Sequence, residues 1–261
     1  MGFFRKNTDF DWENIGETDP YFGVLTNNIF KNTVLTEEAK NDFFLSGELY
    51  VREVMKIIEE KIDENFKPRE AIDFGCGVGR IAIPLSKYCE IVYCVDVSFG
   101  MIQESLKNCD LSDVTNVEFV LSNGKSVGVN HAVDLIHSFI VFQHIPVDRG
   151  MRIFVDLLDH LRDGGVGVVH FTYYQRASAV KQFLHKFVAQ SRFMSTLWNI
   201  TKRRPLSYPI FEMNIYNLNK IMKCLQDFGC HNIHVSFSEH GNKYLGVLLF
   251  FQKSYGLVNG L

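Results

Sequence analysis

The chain has 261 residues, of which 46% are hydrophobic, and a formal net charge of -3. This is enough for one well-packed core, and the charge alone argues neither for nor against nucleic acid. The six cysteines form no CxxC pair and no zinc-like Cys/His cluster, and no secretory signal or membrane-spanning run is present, so we expect a soluble, cytoplasmic protein without a structural metal.

The first 66 residues form an N-terminal part with two sections. Residues 1–20 are polar and acidic, which predicts a mobile or surface-laid arm. Thr36 and two glutamates then mark a helix start, and apolar residues recur at helical spacing to Ile62. We therefore predict a helical cap over residues 37–64 that packs on the core.

Strands and helices alternate from residue 70 onward. Five apolar segments read as strands, at 70–75, 91–96, 117–121, 133–138 and 166–171. Helical patterns separate them at 80–88, 99–109 and 148–162, the last with a stop at Asp163-Gly164-Gly165. This alternation predicts an α/β fold with a mostly parallel, doubly wound sheet.

Residues 173–215 interrupt the alternation and form an insertion with a helical apolar stripe at 180–188. A helix at 217–228 follows, and then two strands at 233–237 and 245–252. Their short connection, His240-Gly241-Asn242, requires antiparallel pairing. The sheet is thus predicted to have seven strands and to close with a β-hairpin, within one domain spanning residues 67–261.

The glycine-rich turn after the first strand is the strongest motif. A dinucleotide fingerprint needs a glycine at position 80, where this chain has arginine, and no P-loop Gly-Lys-Ser/Thr is present. A nicotinamide oxidoreductase is therefore disfavoured. The turn instead resembles the first motif of class I, Rossmann-like S-adenosylmethionine-dependent methyltransferases, written (D/E)-x-G-x-G-x-G, in the run Asp73-Phe74-Gly75-Cys76-Gly77-Val78-Gly79.

Three further segments resemble that family in the same order. Asp96 ends the second strand and opens a D-x-S-x-x-M pattern that includes Met101. Asn123-Gly124 ends the third strand, where the family usually has aspartate and a small residue. The fourth strand and the Phe142–Pro146 segment resemble the small-molecule branch. Residues 68–172 carry this resemblance, and residues 1–45 and 173–215 do not.

The resemblance implies a binding site for S-adenosylmethionine, with S-adenosylhomocysteine as its product. It implies that Asp73 helps to hold the ammonium group and that Asp96 takes the ribose hydroxyls. It also implies that Met101 flanks the adenine and that the Asn123 side-chain oxygen accepts a hydrogen bond from the adenine amine. The cofactor-binding residues expected on this basis are Asp73, Gly75, Cys76, Gly77, Gly79, Asp96, Val97, Met101, Asn123, Gly124 and Ser138. For a catalytic base we predict His144 first and Tyr173 second, with Tyr174 and His170 behind them.

The acceptor is less defined. Motifs for amino-methylation of adenine or glutamine and for cytosine-C5 methylation are missing. Between Asp163 and Glu212 the chain has no acidic residue and seven basic ones, which favours an anionic partner: a charged substrate, a membrane surface along 176–204, or RNA. A solvated face paired with the acidic arm is the alternative.

We therefore predict methyl transfer to a hydroxyl or amine of a small molecule. An RNA or protein methyltransferase and a cofactor-binding protein without transferase activity stay open as alternatives.

Overall fold

The computed structural model describes residues 8–178, 184, 187–189, 191–201, 210–241 and 243–254. Seven strands form a single sheet in the order β3-β2-β1-β4-β5-β7-β6. They are β1 Glu70–Phe74, β2 Ile91–Asp96, β3 Val117–Leu121, β4 Val133–Ser138, β5 Leu161–Gln175, β6 Cys230–His240 and β7 Tyr244–Lys253. The first five strands pair in parallel, whereas β7 pairs antiparallel with both β5 and β6. The predicted doubly wound sheet and its closing hairpin are confirmed.

Eight helices surround this sheet in the described part of the chain. They are α1 Thr8–Thr18, α2 Pro20–Val24, α3 Glu37–Lys61, α4 Ala82–Leu85, α5 Phe99–Leu111, α6 Val147–Asp159, α7 Arg192–Thr201 and α8 Leu218–Asp227. Side-chain caps fix three of the N-termini, because Thr36, Ser98 and Asn217 each accept a hydrogen bond from a backbone N–H three residues later.

Both faces of the sheet are covered, which explains why its central strands are apolar throughout. On one face Phe154 of α6 meets the rings of Phe142, Phe171 and Phe251 edge-on. On the other face α3 buries an apolar stripe against β1, β2 and β4. The core therefore holds the carboxyl ends of β1, β2, β3 and β4 side by side at one edge.

The structure differs from prediction at the N-terminus. Residues 8–18 form helix α1 instead of an arm, and Ile15 and Gly16 are buried in it. Most residues of α1 are polar, so the stability of this helix depends on its contacts with α5 rather than on a broad apolar face.

Two helix boundaries also differ. Of the helix predicted over 80–88, only the four residues of α4 are helical. Pro84 has no N–H to bond the Arg80 carbonyl, and Gly47 of α3 packs against that carbonyl instead. The helix predicted over 148–162 ends at Asp159. Strand β5 begins at Leu161, because the β4 pairing starts at Val133↔Leu161 and draws the glycine pair into the strand.

None of the helices in the described ranges combines the length and the apolar character needed to cross a bilayer.

Candidate active site

A cavity of about 580 Å³ lies where the parallel strands end. Its floor consists of Phe74 at the end of β1, Asp96 at the end of β2, Ser122 after β3 and Phe139 after β4. This is the edge at which open α/β sheets bind ligands.

The glycine-rich turn forms the part of the floor next to β1. Gly75 and Gly77 have φ values of 77° and 53°, in the left-handed region that favours glycine. A Cβ at Gly75 would come within 2.3 Å of Val141, and one at Gly77 within 2.6 Å of Val24. Any side chain at either position would thus collide with a neighbour, and the bare backbone is what faces the cavity.

Asp96 lies at the centre of the floor. Its Oδ2 accepts a hydrogen bond from the Gly77 N–H at 2.9 Å, and its Oδ1 accepts one from the Ser98 N–H at 2.9 Å. Removal from water raises the pKa of this carboxyl to about 6, despite those two hydrogen bonds. The carboxylate is thereby held in a fixed orientation with lone pairs left for a ligand.

Asp73 lies behind the turn in a buried polar cluster. Its Oδ1 accepts a hydrogen bond from His137 Nδ1 at 2.8 Å, and His137 Nε2 accepts one from the Tyr50 hydroxyl at 3.1 Å. Asp73 Oδ2 has no hydrogen-bond partner among the described residues. The side chain is therefore oriented by β4 and α3, with one acceptor oxygen remaining.

Helices α1 and α2 supply one side of the cavity, which we call the N-terminal wall: Asp9, Trp12 and residues 23–26. Arg149 of α6 anchors it, because its guanidinium donates to Asp9 Oδ2 at 2.8 Å and to Thr8 Oγ1 at 2.9 Å. Trp12 stacks on Phe211 at 4.7 Å and meets His144 edge-on at 5.0 Å. The wall thus bridges α6 and the segment before α8.

His144 belongs to a directed chain of hydrogen bonds. Thr172 Oγ1 donates to Gln143 Oε1 at 2.7 Å, which leaves the Gln143 amide nitrogen to donate to His144 Nε2 at 3.1 Å. His144 Nδ1 in turn donates to the Glu212 carbonyl at 3.1 Å. Burial lowers the pKa of His144 to about 4, so the ring is neutral at pH 7 and both of its nitrogens are engaged.

The β6–β7 hairpin forms the far end of the cavity with Glu239, His240 and Tyr244. His240 Nε2 lies 3.3 Å from Nε2 of His170, which also contacts Ser238 Oγ at 2.9 Å. Burial lowers the pKa of His170 to about 3 and also lowers that of His240. These imidazoles are neutral hydrogen-bonding groups at pH 7.

Seven of the predicted site residues line the cavity together: Gly75, Gly77, Asp96, Val97, Met101, Gly124 and His144. The other six lie outside its lining: Asp73, Cys76, Gly79, Asn123, Ser138 and Tyr173.

Three of these six have local roles that explain their position. The Asn123 Oδ1 accepts hydrogen bonds from Lys125 N and Ser126 N, and Ser122 lines the cavity in its place. Ser138 Oγ donates to the Phe74 carbonyl at 2.9 Å and so ties β4 to β1. The Tyr173 ring is directed towards Phe237, at 6.4 Å.

Neither the N-terminal wall nor Arg149 is predicted by the sequence. The wall lies outside the segments that resemble the family, and its acidic residues suggested a solvated arm. The one indication in the sequence is Gly16. A residue without a side chain within a polar helix indicates that another element packs closely against it.

The basic insertion is only partly described. Lys181, Lys186, Lys202, Arg203 and Arg204 lie outside the described residues, as does most of the predicted stripe at 180–188. Arg176 is ion-paired with Glu239.

Comparison with known proteins agrees with this geometry. Residues 71–165 match the family model described as "Methyltransferase domain". A magnesium protoporphyrin IX methyltransferase from Synechocystis PCC 6803, crystallised with bound SAH, superposes with a TM-score of 0.62 at 16% identity, over 95% of this chain and 100% of that one.

Two curated relatives match over shorter stretches. A "tRNA/tmRNA (uracil-C(5))-methyltransferase" of Campylobacter lari is 33% identical over 34% of this chain and 26% of its own length. A "Probable cobalt-precorrin-6B C(15)-methyltransferase (decarboxylating)" of Methanococcus vannielii is 37% identical over 31% of this chain and 45% of its own. The chain thus spans less than half the length of either relative.

Residues 71–165 therefore resemble a methyltransferase domain, and the fold of the chain is the one seen in the neighbour crystallised with SAH.

Proposed function

We propose that this protein transfers a methyl group from S-adenosylmethionine to a hydroxyl or amine of a small-molecule acceptor. The observation that carries this proposal is the cavity itself, which joins the glycine turn and Asp96 to an aromatic wall formed by Trp12 and Phe211. Its volume of about 580 Å³ falls in the range of small-molecule sites.

The donor-binding roles follow from the acceptor atoms that the floor leaves available. Asp96 is held by two backbone N–H groups and is assigned to the ribose hydroxyls. Asp73 lies behind the turn and outside the cavity lining, and its Oδ2 is a buried oxygen without a partner among the described residues; its assignment to the ammonium group rests on the sequence resemblance. Met101 and Gly124 line the part of the cavity assigned to the adenine.

Bound S-adenosylmethionine supplies an electrophilic methyl group for in-line displacement. The protein positions the two reactants and excludes water, because the N-terminal wall covers the floor of the cavity. A base role for His144 would require the Gln143 amide to leave Nε2. We therefore assign His144 to the wall as a neutral aromatic group that keeps Trp12 and Phe211 in place.

The charges of the cavity bear on the acceptor. Among the described lining residues, Arg149 is the one side chain that carries a positive charge at pH 7, since the histidines are neutral. Arg149 is already paired with Asp9. An anionic acceptor would therefore find no unpaired cation in the described lining. We propose an uncharged, largely apolar acceptor, in contrast to the anionic one that the basic insertion suggested.

A macromolecular acceptor is the second candidate, because one relative is named for tRNA and tmRNA. That match covers about a quarter of the relative's length. In this chain the N-terminal wall forms one side of the cavity and so reduces the space open to a macromolecule. The small-molecule assignment is therefore preferred.

Calorimetric titration tests the donor. S-adenosylhomocysteine should bind with a micromolar or lower Kd, and NAD should not bind. Binding of NAD without binding of S-adenosylhomocysteine would overturn the proposal. Release of S-adenosylhomocysteine with a panel of apolar alcohols and amines, and with bulk tRNA, then tests the acceptor. Turnover with tRNA alone would refute the small-molecule assignment and leave the donor assignment intact.

A further inference from the structure

Helix α7 has its apolar side chains on the outside. Phe193, Leu197 and Ile200 follow one another at i, i+4 and i+7, and they are 71%, 46% and 56% exposed. The side facing the protein instead holds Ser195 and Asn199, which are 4% and 0% exposed. This is the reverse of an ordinary surface helix, whose apolar stripe faces the core.

The exposed patch extends beyond that stripe. Trp198 on the same helix is 45% exposed, and Leu184 and Phe187 shortly before it are 54% and 52% exposed. Single exposed apolar residues are common on protein surfaces, but six within 17 residues of sequence are a concentration of the kind that marks a binding surface.

We propose that α7 docks the protein onto an anionic lipid bilayer, with its apolar stripe among the acyl chains and headgroups. The charge of the surrounding sequence supports this occupant. Between Asp163 and Glu212 the sequence has seven basic and no acidic residues, so this part of the chain carries a local excess of positive charge. Exposed Trp, Phe and Leu flanked by Lys and Arg are typical of helices that lie in a membrane interface.

Two other occupants fit less well. A second copy of the chain would bring two strongly basic segments together, and their repulsion would oppose association. An RNA strand would match the charge and could stack bases on Phe193 and Trp198, but the aliphatic Leu197 and Ile200 give it no stacking surface. The bilayer uses both the charge and the whole apolar stripe.

Vesicle flotation of the full chain tests the proposal. Vesicles of phosphatidylcholine with phosphatidylglycerol should bind the protein, phosphatidylcholine alone should bind it much less, and added salt should weaken binding. The double variant Leu197→Gln/Ile200→Gln should lose roughly tenfold or more in partition, because it removes the apolar contribution. Arg203→Glu/Arg204→Glu should lose the preference for anionic vesicles.

Leu111→Gln is the matched control, because Leu111 is 77% exposed on α5 and lies outside the patch. It should bind vesicles as the unchanged protein does. Equal partition of the unchanged protein and the Leu197/Ile200 variant would overturn the proposal. So would a dimer in sedimentation that this variant converts to a monomer.

S-adenosylhomocysteine affinity, measured for each variant, separates this proposal from the proposed function. The affinity should be unchanged in the Leu197/Ile200 and Leu111 variants, because none of these three described residues lines the cavity. A variant that loses vesicle binding and keeps cofactor affinity supports membrane docking whether or not the acceptor assignment holds.

Discussion

Gly100 of α5 lies so close to Gly16 of α1 that a Cβ on Gly100 would come within 2.7 Å of the Gly16 carbonyl carbon. A Cβ on Gly16 would in turn come within 2.4 Å of Ser98 Oγ. The close approach allows the Glu13 carboxylate to accept hydrogen bonds from Phe99 N and Gly100 N, at the positive end of the α5 dipole. The N-terminal wall is therefore fixed to the helix that follows Asp96.

Gly16→Ala should displace α1 from α5. The added methyl group would meet the Ser98 hydroxyl and the backbone N and Cγ of Met101, so we expect a loss of about 1–3 kcal/mol of stability and a several-fold weaker affinity for S-adenosylhomocysteine. Thermal unfolding and calorimetry measure the two effects. Glu17→Ala, at an exposed position of the same helix, is the control and should leave both unchanged. Unaltered affinity in Gly16→Ala would show that α1 is not part of the donor site.

The Asp9–Arg149 ion pair should contribute to closing the cavity. Both side chains are about three-quarters buried, at 23% and 22% exposure, so solvent screens the pair less than a surface one. A double-mutant cycle with Asp9→Asn and Arg149→Met should give a coupling of about 1 kcal/mol and faster dissociation of S-adenosylhomocysteine. The exposed Lys56–Glu60 pair provides the comparison and should give a coupling near zero. Equal couplings in the two cycles would remove Arg149 as an anchor.

Donor affinity should depend on pH through Asp96. Its pKa is raised to about 6 by burial, so below that pH the carboxyl takes up a proton and loses acceptor capacity toward the ribose. S-adenosylhomocysteine should therefore bind more weakly as the pH falls below 6, by up to about tenfold per pH unit. Asp96→Asn cannot titrate and should bind weakly at every pH. The same slope in that variant would assign the titration to another group.

His144→Phe should reduce turnover by less than about tenfold once an acceptor is identified, because both ring nitrogens are already bonded to Gln143 and Glu212. A working general base would contribute about 10²–10⁴-fold. The pH profile of kcat provides the measurement. A hundredfold loss together with a missing limb in that profile would restore His144 as the base and imply that the acceptor displaces the Gln143 amide.

The parallel part of the sheet can be predicted from sequence because β1, β2 and β4 are short, mostly apolar runs bounded by turns. The glycine turn and Asp96 could be placed for the same reason: both directly follow such a strand, so sequence position fixes spatial position. Asn123 shows the limit of this reasoning. It directly follows β3, yet its side chain folds back onto its own turn, and Ser122 faces the cavity instead.

The N-terminal wall could not be predicted in that way. Asp9 and Arg149 are 140 residues apart, and neither belongs to a motif that suggests the other. The orientation of α7 was equally hidden, because a helical apolar pattern does not indicate whether its stripe faces the core or the solvent. Both features depend on contacts between segments that are distant in sequence.

The position of α1 also has a consequence for the order of folding. It is the first described helix to be synthesised, but besides α2 its contacts are with α5 and with Arg149 on α6, roughly 90 and 140 residues later. Since chains emerge from the ribosome N-terminus first, α1 cannot dock until α5 has been made, and its anchor Arg149 follows only when more than half of the polypeptide has been made. The N-terminal wall is therefore completed only after β1 and β2 have formed the floor beneath it.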